Sequence, residues 1–303
     1  MNDFFINNLH GAGGPSIFSR RLFDEFTKNG ISYNERSKNR LSIISGEPIV
    51  GSRNVLRLDG LYFQKDHPEN LKIFDCYKQF EHVVFQGEFC RNQYESFTGI
   101  KKSNTVICNG VPESFFKRGY DLIPKDRPRV VASASWRRHK RLEEIVGAFK
   151  SKKLKDVELW VLGGQSFKGQ TTPNIKLIQT VSPEELPVIY QSCDAMIHIA
   201  WLDWCPNSVV EGLASGLPVL CSSNGGTKEI VKDDGIVMQI EEDYNIGEEL
   251  DLYQPPNVDS EIIADSVLQI INMNKSIDRC DLKIANVAKK YKKALSIPNE
   301  SVN

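Results

Sequence analysis

"AMIHIAWLDWCPNSVVEGLASGLPVLC", residues 195–221, decides how this chain folds. Its two ends, AMIHIA and PVLC, are short apolar runs of the kind that form strands buried on both faces. Between them residues 208–215 have helical spacing, and Gly216 stands where a helix C-cap glycine belongs. A helix joining two buried strands is the crossover of a parallel sheet.

The same alternation extends in both directions. From Arg129, RVVASAS, VELWVL and NIKLIQ read as strands, with helical stretches at 141–150 and 183–192. Nearer the N-terminus, DFFINNL, LSIIS, NVLRL, HVVFQ and NTVIC read as strands. Residues 16–28 carry Ile17, Leu22, Phe23 and Phe26 along one helical stripe, and 88–97 is a weaker helix. The polar stretch 117–128, KRGYDLIPKDRP, has charges, two prolines and no periodicity, and marks a boundary. The fold class expected is α/β, with two doubly wound Rossmann-like domains facing across a cleft, at 1–120 and 121–280. Ligands would then bind at the carboxyl ends of the strands. Residues 281–303 open with a helix whose apolar stripe is Ile284, Val287, Ala288, Tyr291 and Leu295. Its other face holds Lys283, Lys289, Lys290, Lys292 and Lys293. It reads as a docked surface helix that could pack back on the N-terminal domain; contact with an anionic membrane surface is the weaker reading.

At 303 residues the chain suits two ordinary domains, and 40% hydrophobic with 25% charged residues excludes disordered and membrane-spanning classes. A formal net charge of -1 argues against nucleic acid as a partner. The start, MNDFFINNLHG, lacks a basic n-region and a small-residue cleavage site, so a cytoplasmic location is expected. The seven cysteines are scattered without any C-x-x-C spacing, which points to reduced thiols rather than zinc or disulfides.

Three stretches carry residues that do chemistry. In HGAGGPS, residues 10–16, glycines let backbone approach a ligand at a helix N-terminus. Ser16 occupies the third glycine position and no G-K-[ST] follows, so neither the dinucleotide fingerprint nor the P-loop fits. A plain tight turn and a ligand loop both stay open. In WRRHKRLEE, residues 136–144, Arg137, Arg138, Lys140 and Arg141 crowd a helix start. There the macrodipole disfavours each cation by about 0.3–1 kcal/mol. An external phosphate is the reading favoured over a solvated basic turn, because the cluster follows a parallel strand. The third is Asp203 and Glu211 across the turn after AMIHIA. Ser208 and Glu211 have the spacing of a capping box, which would make Glu211 structural. That leaves Asp203 and its flanking Trp201 and Trp204 unexplained. Two carboxylates bracketing free helix N–H groups suit a nucleotide sugar, with diphosphate on the amides, one carboxylate on ribose and the other facing the sugar.

Asp203-x7-Glu211 followed by GLASGLPVLCSSNGGTKEIV resembles the E-x7-E region of retaining family-4 glycosyltransferases with the GT-B fold. The resemblance extends to GGPS (13–16), FQGEFCRNQYESF (85–97), VICNGVPESFF (106–116) and SWRRHKRL (135–142), in order along most of the chain. It implies a nucleotide-sugar donor on the C-terminal domain, an acceptor on the N-terminal domain, and retention of anomeric configuration. By resemblance, Arg137 and Lys140 neutralise the diphosphate, with Arg138 as a substitute for Arg137. Glu211 binds the ribose, Asn207 and Ser208 open the donor-binding helix, and Gly13 and Gly14 approach the phosphates. Asp203 is the catalytic carboxylate at the sugar end. Asp59, in RLDGLYF, either faces the acceptor as a second catalytic carboxylate or forms an ordinary Asp-Gly turn. The chain departs from the family in having Asp203 where Glu is usual, and in an N-terminal domain, 1–120, that is compact for the family.

The expected function is transfer of a sugar from a UDP- or GDP-linked donor to a hydroxyl of a glycan, lipid or protein. No cofactor is expected beyond the donor substrate. No D-x-D pair occurs in the chain, so no metal is expected, and cations with helix N–H groups would carry the charge stabilisation. Two other readings are a nucleotide-sugar epimerase of the same architecture and a non-catalytic nucleotide-sugar-binding partner subunit.

Overall fold

The computed structural model describes residues 2–120, 122–273 and 275–298. They divide into two units, each built on one six-stranded parallel sheet, the α/β architecture expected from the alternation. The first unit takes the described residues up to Pro112, then 245–250 and those from Asp281 onward; the second takes 113–244 and 251–280.

The first unit begins β1 (Asp3–Ile6), α1 (Gly14–Lys28), β2 (Ser32–Tyr33), β3 (Asn39–Ile43) and β4 (Arg53–Leu58). It continues α2 (Pro68–Gln79), β5 (His82–Phe85), α3 (Glu88–Thr98) and β6 (Ser103–Val106). The sheet order is β2-β1-β3-β4-β5-β6. Val55, Leu56, Leu58, Val83, Val84 and Phe85 are fully buried, as in strands covered on both faces; the buried part of β4 is interrupted only by Arg57, which is itself fully buried.

The second unit runs β7 (Arg129–Ser133), α4 (Leu142–Phe149), β8 (Glu158–Leu162), β9 (Ile175–Ile178), α5 (Leu186–Gln191) and β10 (Ala195–His198). Next come α6 (Asn207–Ala214), β11 (Val219–Ser222), α7 (Thr227–Val231), β12 (Gly235–Met238) and α8 (Ser260–Ile271). Its sheet order is β12-β11-β10-β7-β8-β9. The first strand, β7, therefore lies mid-sheet, with β8 on one side and β10 on the other. That is the doubly wound arrangement in which the strand order reverses between β7 and β10 while the strands stay parallel. Leu142, Ile145, Val146 and Phe149 of α4 pack with Ile263, Ala264, Val267 and Ile270 of α8 in the core of this unit.

The last helix, α9 (Ile284–Ala294), belongs to the first unit. Its Ile284, Val287, Ala288 and Tyr291, followed by Leu295, join the core around Phe18, whose ring centre is 5.5 Å from that of Tyr291. An isolated bridge between Val111 and Lys283 anchors its start, with the Val111 amide donating to Leu282 O at 2.9 Å and the Ile284 amide to Val111 O at 2.8 Å.

Several elements differ from the periodicity reading. The helices α2, α7 and α8 and the strands β2 and β12 lie outside the stretches assigned from periodicity, although α8 carries an apolar stripe at Ile263, Ala264, Val267 and Ile270 behind an Asp259 N-cap. The first turn expected at 183–185 is not α-helical: α5 starts at Leu186, with Pro187 in its first turn. Among the described residues no helix is long and apolar enough to cross a membrane.

Candidate active site

Asp203 sits on the loop after β10, only 7% exposed. Its Oδ2 receives the ammonium of Lys140, from the turn after β7, and lies 2.9 Å from Nε2 of His198, the last residue of β10. The Trp204 amide donates to Oδ1 at 3.0 Å. This carboxylate thus joins the ends of β7 and β10, the two strands between which the order reverses. Ligands of doubly wound sheets bind at such a place. Burial works to raise the carboxyl's pKa, but the Lys140 charge and the His198 hydrogen bond reverse it and hold Asp203 well below the usual carboxylate range. Burial and Lys140 keep His198 neutral against the opposing pull of Asp203.

The loop is fixed from below by backbone. Leu202 has φ 58°, and the Gly226 amide donates to Asp203 O at 2.7 Å. Gly225 has φ 83°, and a Cβ there would stand 2.6 Å from Asp203 O, so only glycine lets the turn after β11 come this close.

The basic stretch after β7 resolves into separate partners. Arg138 pairs with Glu144 at 2.6 Å. Arg141 is fully buried at φ 58°, pairs with Glu241 at 2.6 Å and donates to Pro256 O at 3.1 Å. Arg141 therefore does not belong to an anion-facing cluster; it is a strut between loops. Arg137 is exposed and makes no ion pair among the described residues. His139 is buried among these cations, with its pKa lowered to about 4 by burial and then by Lys140, so it stays neutral. Its ring meets Tyr253 edge-on at 5.5 Å.

Glu211 lies on α6, 6% exposed, and accepts the Tyr190 hydroxyl of α5 at 3.3 Å. The N-cap of α6 is Pro206, without a side-chain cap hydrogen bond, so Ser208 lies inside the helix and S-x-x-E is not a capping box here. Asn207 and Ser208 are half-buried at the helix start, which has no acidic residue in its first turn. Gly216 follows the helix at φ 88°, as a C-cap glycine does.

In the first unit, Gly13 is the N-cap of α1 and Gly14 its first residue, again with no side-chain cap or first-turn acid. The loop before it is braced: Ser16 Oγ donates to Asn8 Oδ1 at 2.8 Å, and Arg20 donates to Gly11 O at 2.7 Å. Ser16, which breaks the glycine fingerprint, is thus a loop clamp. Asp59 directly follows β4 and pairs with the fully buried Arg57. The same guanidinium donates to Asn109 Oδ1 at 2.7 Å and Gln86 Oε1 at 3.2 Å, with its carbon 4.2 Å above the Phe18 ring. Burial raises the Asp59 pKa, and Arg57 offsets this only in part.

Sequence reasoning missed His198, His139, Tyr190, Arg57 and Gly225. A histidine inside the apolar run AMIHIA was the available signal for His198, since a buried imidazole needs a partner.

The Glycosyl transferases group 1 family matches residues 114–281, more than half of the chain. The chain belongs to that family. The matched stretch holds β7 through α8, and with them Lys140, His198, Asp203 and Glu211. No curated protein sequence matches this glycosyltransferase. Solved structures resemble it throughout. HepE of Anabaena in complex with UDP-glucose has TM-score 0.64 at 12% identity, covering 97% of this chain and 96% of that one. Sucrose-phosphate synthase from Thermosynechococcus elongatus has TM-score 0.65 at 13% identity, covering 97% and 94%. WaaG, a glycosyltransferase involved in lipopolysaccharide biosynthesis, has TM-score 0.60 at 11% identity, covering 98% and 96%. These likenesses place the glycosyltransferase in the GT-B fold, with two Rossmann-like units.

Proposed function

We propose that the protein transfers a sugar from a nucleoside diphosphate donor to an acceptor hydroxyl, with retention and without a divalent metal, in the cytoplasm. The observation that carries this reading is the Lys140–Asp203 pair at the reversal point of the second sheet. It stands in a member of a glycosyltransferase family. Arg137 and Lys140 would meet the diphosphate, with the first amides of α6 at Asn207 and Ser208 adding donors. Glu211 would take the ribose hydroxyls. Asp203, held below the usual carboxylate range by Lys140 and His198, would stabilise positive charge developing on the sugar ring. Gly13 and Gly14 would add the amides of α1 to the phosphates, and Asp59 would face the acceptor. HepE was solved with UDP-glucose, which favours a UDP-linked donor over a GDP-linked one. The acceptor is a glycan, lipid or protein hydroxyl.

The test is a thermal-shift panel of nucleotide sugars, followed by product analysis. A specific donor at 100 times its Kd stabilises by about 2.7 kcal/mol. Release of nucleoside diphosphate with a glycosylated acceptor of unchanged anomeric configuration is expected. An isomerised donor would replace this reading with an epimerase, and binding without turnover with a partner subunit.

A further inference from the structure

We propose that His198 is a positioning residue: it holds Asp203 in place when Lys140 turns to the donor's diphosphate, and it takes up a proton as that happens. The inference rests on the functional reading above and adds to it a residue and a linkage.

Three donors converge on one carboxylate. His198 and Trp204 are tied to backbone that cannot move far: His198 ends β10, in register with Cys221 of β11, and the Trp204 donor is a main-chain amide. Lys140 differs. Its long stem rises from a turn, it has the most exposed side chain of the ion pair at 15% against 10% for Asp203, and it follows the exposed Arg137 by three residues. When an anion arrives, Lys140 is the partner free to leave.

Once it leaves, Asp203 keeps its negative charge in a buried place with one neutral imidazole and one amide. Burial, the largest influence on His198, still disfavours its charged form, but His198 loses the Lys140 charge that added to that effect and keeps the carboxylate that favours protonation through a 2.9 Å hydrogen bond. An imidazolium then replaces the ammonium as the counter-charge. Other groups around His198 do not supply that charge. His139 is neutral. Cys221 is a thiol, pushed up to about 12 by burial. On the helices packed against β10, Glu211 of α6 accepts from Tyr190, while Glu261 and Asp265 of α8 lie 3.1 and 2.6 Å from Lys153.

The experiment is calorimetric titration of the full chain with UDP and with GDP, near pH 7, in two buffers of different ionisation enthalpy. Wild type should show a buffer-dependent heat corresponding to uptake of a fraction of a proton. His198→Asn should lose that dependence and bind about tenfold more weakly, the lower end for a hydrogen bond to a charged group. His198→Gln, whose longer amide can still donate to Asp203, should recover part of the affinity but not the buffer dependence. A buffer-independent heat in wild type, or a dependence that survives in both variants, would overturn the inference and leave the functional reading standing. Binding of neither nucleoside diphosphate by wild type would overturn both.

Discussion

Replacing Asp203 by Asn tests whether the charge of this carboxylate holds the site together. The amide keeps the shape and can still accept from the Trp204 amide or from His198. It cannot neutralise Lys140. Removing one partner of a buried ion pair costs about 3–5 kcal/mol. Lys140 retains 15% of its side-chain exposure and can turn partly to water, so a loss of about 2–3 kcal/mol is expected at neutral pH. The effect depends on pH with a definite sign. The folded pKa of Asp203 is depressed below its unfolded value of about 3.9. The group therefore contributes stability above that unfolded value, and the contribution is lost as pH falls toward the folded pKa. The gap between wild type and Asp203→Asn should be full above about pH 5 and should narrow below about pH 4.

Urea unfolding followed by tryptophan fluorescence is the assay. All four tryptophans, at 136, 160, 201 and 204, lie in the second unit, so the signal reports the unit that holds the pair. In a double-mutant cycle, Lys140→Met should cost much less when Asp203 is already Asn than in wild type. An Asn variant as stable as wild type, or a gap that stays constant down to about pH 3, would refute the assignment of the depressed pKa to this pair.

Arg137→Ala should lower kcat/KM by more than about tenfold through loss of a charge-assisted phosphate contact, with the melting temperature unchanged, as steady-state kinetics and a thermal melt would show. Glu211→Gln should weaken binding of the bare nucleoside diphosphate about tenfold in a calorimetric titration; a lowered melting temperature with unchanged nucleotide affinity would mean that Glu211 only supports Tyr190. Transfer should survive a chelator, and its abolition with recovery on adding magnesium or manganese would refute metal independence. Gly225→Ala should destabilise the second unit by about 1–3 kcal/mol in the urea titration, because its positive φ and the 2.6 Å approach to Asp203 O leave no room for a Cβ.

The apolar strands were legible because a strand buried on both faces must be written as a run of apolar residues. AMIHIA, RVVAS and HVVF carry that message without any partner in view. The helix α2 was not legible, since only Asn70, Phe74, Cys76 and Tyr77 are buried on it and one of these is polar. Strand β12 escaped because only Met238 is buried there. At the site, spacing brought out Asp203 and Glu211, and the strand-end position brought out Lys140. The partners of the basic stretch were invisible for a simple reason. Glu241 lies 100 residues beyond Arg141 and Asp203 lies 63 beyond Lys140, and no local rule links positions that only the sheet brings together.

Those partners change how the charge at this site works. Four cations at a helix start suggested an external anion, because the macrodipole opposes them. Three of the four carry internal anions instead: Glu144 for Arg138, Asp203 for Lys140 and Glu241 for Arg141. Only Arg137 is left for a ligand without rearrangement. A diphosphate bound by Arg137 alone would gain one charge-assisted contact; recruiting Lys140 as well means exchanging one ion pair for another. That exchange is nearly balanced in Coulomb energy if Asp203 does not end up bare. The Trp204 amide and His198 both bond Asp203 independently of Lys140, so the carboxylate keeps two of its three donors through the exchange. In the proposed donor mode, the buried histidine at the end of β10 would make that second phosphate contact energetically accessible without its own ring touching the donor.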